Sequence, residues 1–344
     1  MEFGKTAWMT ACASWALMGS LLMTGNTAHA ADEPFYKGKS ITFICASDVG
    51  GGYDTYSRLI ANYLGRHLPG NPSVVVQNMP GAGSIRASNQ LYNVVKKDGT
   101  FIGMVDQAIY LNQILGTPEL KADATKFTWI GRILSNSAVL FASSSAPVKK
   151  AQDLFTNEMI VAASGTASRL NWQVLNNVVG TKFRIISGYK GTSDSRLAMQ
   201  RGEVHGLSMP WPVLKNEGAE ALKNKEINLI LQTGIDKNPE LQDLPRMVDL
   251  ARNDDERKLL ALFASPSTIG RSVMAPPDLP KERTAELRKA FMDAIHDKAL
   301  LADVARAKLD LDPMSGEDLQ ASIGGEDIPA ALVERAREVA GMKN

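Results

Sequence analysis

One pattern recurs along this sequence: a short apolar run, then a loop of small residues, then a segment with helical spacing. The first copy runs from the β-rich residues 40–46 through the glycine loop at 50–54 into a helix predicted over 55–68. Short strands that alternate with longer helices form parallel sheets with helices on both faces. The pattern therefore predicts an α/β fold whose ligands bind at the carboxyl ends of strands.

Further copies of the pattern follow. A strand predicted at 73–77 leads through the turn at 80–83 into a helix over 84–95, and a third strand covers 100–105. In the second half, the loop at 164–168 and the loop at 190–194 each connect an apolar run to a helix. These units fall into two groups, which predict two lobes, each a mostly parallel sheet flanked by helices. We expect lobe 1 at 31–138 plus 264–344 and lobe 2 at 139–263.

The N-terminus has the features of a secretory signal peptide. Lys5 precedes an apolar stretch from residue 7 to about residue 23, and Ala28-His29-Ala30 ends the segment. A membrane anchor is the alternative, but polar residues interrupt the stretch before it reaches the length of a spanning helix. We expect cleavage after Ala30 and export to the periplasm.

Charge and cysteine content exclude some classes of protein. The formal net charge is +1, whereas a nucleic-acid binder shows a basic face. Beyond residue 30 the chain keeps one cysteine, Cys45, so no internal disulfide is possible. No apolar segment of spanning length follows the signal peptide.

The loops at 50–54, 164–168 and 190–194 have the composition of anion-binding loops. The first turn of a helix exposes unpaired N–H groups and the positive end of the helix dipole, and glycine allows close approach of a ligand. A carboxylate or phosphate can bind there without a charged side chain. The alternative is that Asp54, Thr166 and Asp194 simply cap their helices, and the two interpretations are compatible.

Patterns for cofactors, metals and catalysis are weak. The turn at 80–83 is followed by Arg86 where a dinucleotide fingerprint needs glycine. His67, His205 and His296 do not lie at metal-ligand spacing, and no nucleophile elbow occurs. We expect no cofactor, no metal and no enzymatic activity, with an exported hydrolase as one alternative. His205, between Val204 and Gly206, stays an open candidate.

In order, these motifs resemble the substrate-binding proteins of tripartite tricarboxylate transporters, the Bug or TctC-like receptors. The matching segments are the glycine loop at 50–54, the turns at 80–83 and 98–99, and the loops at 163–166, 189–194 and 202–206. The resemblance covers nearly all of the chain beyond residue 30. Three positions depart from the family pattern: His205 replaces an aspartate, Lys190 replaces a smaller residue, and Arg271 lies in a crossover that lacks the usual aromatic residues.

The resemblance implies a two-lobed periplasmic binding protein fold (type II-like) with a ligand cleft between the lobes. It implies an organic acid as ligand and a transporter with a large and a small membrane subunit as partner. We expect a monomer that captures a small carboxylate, does not bind nucleic acid, and delivers its ligand to the transporter. A ligand-binding input subunit for a sensor kinase is the alternative.

The candidate ligand-binding residues are the members of these loops, the residues that follow the third strand, one residue of the Met209-Pro210-Trp211-Pro212 turn, and Arg271. Arg169, Lys190, Arg196 and Arg271 could neutralise an anion. The full candidate set is Gly50, Gly51, Gly52, Tyr53, Asp54, Gly81, Ala82, Gly83, Asp106, Gln107, Ser164, Gly165, Thr166, Ser168, Lys190, Gly191, Thr192, Ser193, Asp194, Met209 and Arg271.

Overall fold

The strands of the sequence pattern join two separate sheets in the computed structural model. The structure describes residues 33–163, 166–189, 192–324 and 328–342. The predicted signal peptide and the loop residues Ser164, Gly165, Lys190 and Gly191 lie outside the described residues, as do the side chains of Thr166 and Thr192.

The first sheet has the strand order β11-β4-β10-β3-β1-β2. Its strands are β1 (Ser40–Cys45), β2 (Ser73–Asn78), β3 (Phe101–Met104), β4 (Thr128–Leu134), β10 (Arg271–Ala275) and β11 (Met314–Ser315). β1 pairs in parallel with both β2 and β3, so that Cys45 lies beside Asn78 on one side and Met104 on the other. The carboxyl ends of these strands therefore meet at one edge of the sheet.

The second sheet has the order β7-β6-β8-β5-β9. Its strands are β5 (Ala138–Ser143), β6 (Met159–Ala163), β7 (Phe183–Ser187), β8 (Gly206–Pro210) and β9 (Ile227–Gln232). β6 runs parallel to β7 and β8. The loops that follow these strands consequently share one edge of the second sheet.

Helices cover both sheets. They are α1 (Gly52–Leu64), α2 (Ile85–Asn93), α3 (Ile109–Ile114), α4 (Thr166–Val179), α5 (Thr192–Gln200), α6 (Trp211–Glu217), α7 (Ala219–Lys223), α8 (Asp254–Ala264), α9 (Pro266–Ile269), α10 (Lys281–Ile295), α11 (Lys298–Arg306), α12 (Gly316–Ser322) and α13 (Ala330–Val339). Short 3-10 segments lie at Gly65–His67, Ala82–Ser84, Ala151–Phe155, Pro239–Leu241 and Met247–Leu250.

The sheets are mixed, and the predicted two-lobed α/β fold is confirmed. β10 runs antiparallel to β3 and β4, and β5 runs antiparallel to β8 and β9. The physical cause is the connection between the sheets. Only three residues separate β4 from β5, so the chain passes directly from one sheet to the other without a helical crossover that would keep the strands parallel.

The final helix packs beside the second sheet. α13 contacts α4 and α8, and Asn177 of α4 donates a hydrogen bond to the Val339 carbonyl at 2.8 Å. Ala336, Val339 and Ala340 belong to the same apolar cluster as the core of that sheet. The lobe boundaries drawn from the sequence stay a prediction, and we propose that α13 moves with the second lobe.

Among the described residues, no helix combines the length and the apolar character that crossing a bilayer requires. Cys45 is buried in the first sheet as a free thiol.

Candidate functional site

A cavity of about 700 Å³ opens between loops of the two sheets. From the first sheet it is lined by Ala82 and Gly83 after β2 and by Asp106 and Gln107 after β3. From the second sheet it is lined by the start of α4 and by the end of β8. Parts of the chain that are distant in sequence therefore meet at the strand ends, where α/β proteins bind ligands.

The turn at 81–84, which follows β2, has a strained backbone. Four successive residues have positive φ: Gly81 (132°), Ala82 (47°), Gly83 (57°) and Ser84 (74°). Alanine and serine avoid this region because the Cβ atom approaches the backbone, and such strain concentrates at functional sites. The Ser84 hydroxyl fixes the turn by accepting a hydrogen bond from the Asp106 N–H at 3.0 Å.

Asp106 and Gln107 line the cavity after β3, and both are hydrogen-bonded to Tyr53. The Tyr53 hydroxyl accepts a hydrogen bond from the Gln107 N–H at 3.1 Å and donates to Asp106 Oδ2 at 3.4 Å. Asp106 Oδ1 accepts from the Ala108 N–H at 2.9 Å. Burial raises the pKa of the Asp106 carboxyl above its ordinary value, although these hydrogen bonds oppose the shift.

Gln107 also brings an unsatisfied polar atom to the cavity. Its Oε1 is buried and has no hydrogen-bond partner among the described residues, and the same holds for Asn136 Oδ1 on the crossover between the sheets. Both residues line the cavity. Buried polar atoms are normally paired, so these two amides are available to a ligand or to water.

The second wall begins at the N-terminus of α4. Ser168, Arg169, Leu170 and Asn171 line the cavity there. The Arg169 guanidinium donates a hydrogen bond to Gln173 Oε1 at 3.0 Å, which holds it along the first turns of the helix. The wall therefore combines a cationic side chain with the positive end of a helix dipole.

The end of β8 completes this wall by the alternation of its side chains. Ser208 and Pro210 line the cavity, whereas Met209 between them is 1% exposed and packs in an apolar cluster of the second sheet. Successive side chains of a strand point to opposite faces. Met209, a predicted ligand residue, thus lies on the core side of its strand.

The glycine loop at 50–54 is held by its own hydrogen bonds and does not line the cavity. Asp54 accepts hydrogen bonds from the Gly50 N–H at 2.9 Å, from Arg58 Nε at 3.0 Å and from Asn78 Nδ2 at 2.8 Å. The hydrogen bond from Arg58, assisted by those from Gly50 and Asn78, lowers the pKa of Asp54 to about 2. Tyr53 connects this loop to the cavity wall, through its hydrogen bonds with Asp106 and Gln107.

Arg271 lies against the start of α1. Its guanidinium carbon is 5.5 Å from the ring centre of Tyr53 and 5.0 Å from that of Tyr56. A Cβ at Gly52 would lie 2.6 Å from the Arg271 guanidinium, so glycine permits this approach. Arg271 Nε is buried without a hydrogen-bond partner among the described residues, and the side chain is not part of the cavity lining.

Comparison with known protein families decides what kind of site this is. Residues 57–323 match the model of the family described as "Tripartite tricarboxylate transporter family receptor". The chain belongs to this receptor family. The resemblance inferred from the loop motifs is thereby confirmed, and the chain is a solute-binding receptor of this family. No curated protein sequence matches the receptor.

Solved structures share the fold of the receptor. A TctC solute binding protein from Polaromonas has a TM-score of 0.64 and 18% identity, covering 88% of this chain and 98% of that one. The periplasmic binding protein BugD has a TM-score of 0.59 and 19% identity, covering 88% and 98%. A protein from R. palustris with adipate has a TM-score of 0.60 and 21% identity, covering 88% and 97%. At these identities the likeness shows the two-lobed α/β fold alone.

The remaining predicted residues lie elsewhere on the receptor. Ser193 and Asp194 are exposed in the first turn of α5. Arg196 pairs with Glu217 at 2.6 Å. His205 accepts a hydrogen bond from the Ile160 N–H at 3.0 Å, at the amino end of β8 and opposite to the cavity end. Burial and then the positive charge of Arg184 lower the pKa of His205.

Several residues that line the cavity were not predicted from the sequence. Asn136 and Ala138 come from the crossover after β4, and Thr233, Pro266 and Ser267 come from the segments that lead back to the first sheet. They follow no glycine loop, and only the tertiary arrangement of the two sheets brings them to the cavity. Among the described residues, no group of His, Cys, Asp or Glu side chains is arranged to hold a metal ion.

Proposed function

We propose that this receptor captures an organic anion through a carboxylate group in the cavity between its two sheets. The observation that carries the proposal is convergence: the turn at 81–84 and the start of α4 belong to different sheets yet line one cavity. The relative from R. palustris with adipate supports a carboxylate as the ligand class.

Each wall offers the carboxylate a different kind of hydrogen-bond donor. Gly83 lines the cavity with an open Cβ position, so a ligand can approach the backbone of the turn. The first turn of α4 brings the positive end of a helix dipole to the cavity, and Arg169 adds a charge-assisted hydrogen bond. Ala82, Gly83, Gln107, Ser168 and Arg169 are the proposed ligand contacts.

The loop at 50–54 takes a supporting role in this proposal. It positions Tyr53, which in turn holds Asp106 and Gln107 by hydrogen bonds. The Asp54 carboxylate already accepts hydrogen bonds from the Gly50 N–H of the loop and from Arg58. Arg271 stabilises the aromatic pair at the start of α1 and contributes positive potential near the cavity.

Export and delivery complete the proposed function. The receptor is exported, cleaved after Ala30 and active in the periplasm as a monomer without catalytic activity. It delivers its ligand to the membrane subunits of a tripartite transporter. N-terminal sequencing of the periplasmic form checks the export step, and a start at Ala31 is the expected result.

Thermal unfolding with a panel of small molecules tests the anion site. A ligand that binds only the folded state stabilises it by about 2.7 kcal/mol at a concentration of 100 Kd. We expect carboxylates to raise the Tm, while neutral sugars and organic cations leave it unchanged. A response to sugars or cations with none to carboxylates would contradict the proposal.

Two matched arginine variants localise the site. Arg169→Gln removes the cation from the cavity wall, and we expect carboxylate affinity to fall about tenfold because a hydrogen bond to a charged group is lost. Arg196→Gln is the control, because Arg196 lies on another helix of the second sheet and is paired with Glu217. Equal losses in the two variants would show that long-range charge, and not a contact in the cavity, sets the affinity.

A further inference from the structure

The last turn of α13 reaches the cavity from the C-terminal part of the chain. Ala340 and Met342 line the cavity together with Ser168 and Arg169 of α4. In sequence α13 follows β11 and α12, which belong with the first sheet, but it packs on α4 and α8 beside the second sheet. The C-terminal turn therefore belongs to the wall whose cation is Arg169.

A glycine ends α13 in a defined geometry. Gly341 has a φ of 71°, a left-handed conformation that residues with a Cβ avoid. The Gly341 N–H donates a hydrogen bond to the Glu338 carbonyl at 2.9 Å, and the Met342 N–H donates one to the Arg337 carbonyl at 2.9 Å. These two bonds form a Schellman motif. Backbone hydrogen bonds thus set the position of residues 340–342.

Gln173 of α4 lies between this turn and Arg169. A Cβ on residue 341 would be 2.7 Å from Gln173 Nε2, so the amide occupies space that glycine leaves free. The other end of the same amide, Oε1, accepts the hydrogen bond from Arg169 at 3.0 Å. Of the described residues that line the cavity, neither Gln173 nor Gly341 is one. Both therefore act on the cavity through Arg169.

The hydrogen bond to Gln173 prepares Arg169 for an anion. An arginine side chain has many rotamers, and ordering it on binding weakens affinity. A guanidinium that Gln173 Oε1 already holds is ordered before the ligand arrives. Because a guanidinium has five N–H donors, the others can pair with a carboxylate. The turn at residue 341 in turn limits the space that is open to the Gln173 amide.

We infer that Gln173 and Gly341 are positioning residues of the anion site: the C-terminal turn holds the Gln173 carboxamide, and the carboxamide holds the Arg169 guanidinium. This inference rests on the proposed function, in which Arg169 contacts the carboxylate. It makes the last helix of the chain a part of the anion site, although neither positioning residue touches the ligand.

A double-mutant cycle on Gln173 and Arg169, measured by calorimetric titration, tests the inference. The probes are acetate, succinate, malate, adipate and citrate, and the one that binds the wild type most tightly is used throughout. Gln173→Met keeps the length of the side chain and removes the acceptor. We expect the Kd to rise about fivefold, because Arg169 must then be ordered on binding. In the Arg169→Gln background, Gln173→Met should change the Kd by less than about twofold.

Gly341→Ala tests the role of the C-terminal turn. The new methyl group displaces the Gln173 amide, and we expect the Kd to rise about threefold. Gly324→Ala is the control: Gly324 has a φ of 74°, and a Cβ there would lie 2.7 Å from Thr125 Cγ2, but neither residue lines the cavity. The two variants share the backbone strain and the close approach, so only Gly341→Ala should weaken binding.

The outcomes separate the inference from the proposed function. An equal loss of affinity from Gln173→Met in both backgrounds would show a general effect on α4 and would overturn the inference. Weaker binding in Arg169→Gln with none in Gln173→Met, or equal Kd values for Gly341→Ala and Gly324→Ala, would overturn it and leave the carboxylate receptor intact. If no probe binds, or if Arg169→Gln keeps the wild-type Kd, the proposed contact with Arg169 fails and the inference fails with it.

Discussion

Two glycine loops of the first sheet have similar sequences and different physical states. The loop at 50–54 follows β1 and the turn at 81–84 follows β2, its parallel neighbour. In the first loop Asp54 accepts hydrogen bonds from Gly50, Arg58 and Asn78, and the loop does not line the cavity. The second has four successive positive φ angles and lies on the cavity wall.

The difference teaches that a glycine loop at a strand end is not by itself a ligand contact. Where a side chain from the following helix satisfies the loop, the loop becomes a support for its neighbours. Where four successive residues have positive φ and the turn lies on the cavity wall, the backbone can approach a ligand, as at Gly83. Four predictions test this contrast, in order of decreasing effect.

Asp54→Ala should destabilise the protein most. The change removes the carboxylate that joins Gly50, Arg58 and Asn78, and we expect a loss of about 2–3 kcal/mol in the free energy of unfolding, because charge-assisted hydrogen bonds are lost from a buried position. Urea denaturation measures the loss. Asp48→Ala, in the exposed part of the same connection, is the control and should change stability by less than about 0.5 kcal/mol.

Gly83→Ala should cost about 1–2 kcal/mol. Gly83 has a φ of 57°, and a Cβ there meets open space, so the cost comes from the left-handed backbone conformation and not from a clash. Gly51→Ala is the matched change in the other loop, where φ is −75° and the nearest atoms lie at 3.5 and 3.7 Å. We expect that variant to keep wild-type stability, and a similar loss in both variants would remove the distinction between the loops.

Acid should weaken the 50–54 loop selectively. The folded-state pKa of Asp54 is about 2, below the ordinary value of 3.8. The contribution of this group is therefore present above pH 4 and is lost as the pH falls through 2. We expect a loss of about 1 kcal/mol, reduced because Arg58 is half-exposed to solvent.

Asp54→Asn isolates this contribution from the titration of other carboxyls. Unfolding free energies of the wild type and the variant, measured between pH 5 and pH 2, should converge as the pH falls. Parallel curves over that range would show that the ionised Asp54 carboxylate does not stabilise the loop.

Asp106→Asn should have the smallest effect and should act on ligand affinity. The pKa of Asp106 is raised by burial, so the folded state favours the neutral acid and the ionised form appears only as the pH rises through that raised pKa. An ionised Asp106 repels a carboxylate, hence affinity should weaken with rising pH. We expect the variant to bind more tightly than the wild type once the pH exceeds the raised pKa of Asp106, and to lose this pH dependence. Titration calorimetry at several pH values measures both, and a weaker Kd in the variant would instead make Asp106 a direct ligand contact.

The sequence predicted the parts of the fold that depend on local periodicity. The strands predicted at 40–46, 73–77 and 100–105 lie within one residue of their observed bounds, and the helix after the 50–54 loop was placed within a few residues. The local sequence pattern did not predict the strands β4 and β10. β4 contains Arg132, which is buried only because Asp312 and two backbone carbonyls, 180 and 136 residues away, accept its hydrogen bonds.

The sequence predicted candidate loops for the site, and the structure shows which of them line the cavity. Ala82, Gly83, Asp106, Gln107 and Ser168 line the cavity, and their role as ligand contacts stays a prediction. Met209 was named because it follows a strand in a stiff turn, but strand alternation places its neighbours at the cavity. His205, whose role the sequence left open, accepts a hydrogen bond from the Ile160 N–H at the end of β8 that lies away from the cavity.

By itself the sequence determined the α/β class, the strand-end position of the loops and the receptor family, because these depend on spacing along the chain and on loop composition. Tertiary structure decided which loops reach the cavity and that both sheets are mixed. The physical reason is that these properties depend on contacts between residues far apart in sequence, such as Arg132 with Asp312 and Asp54 with Asn78, which no local pattern encodes.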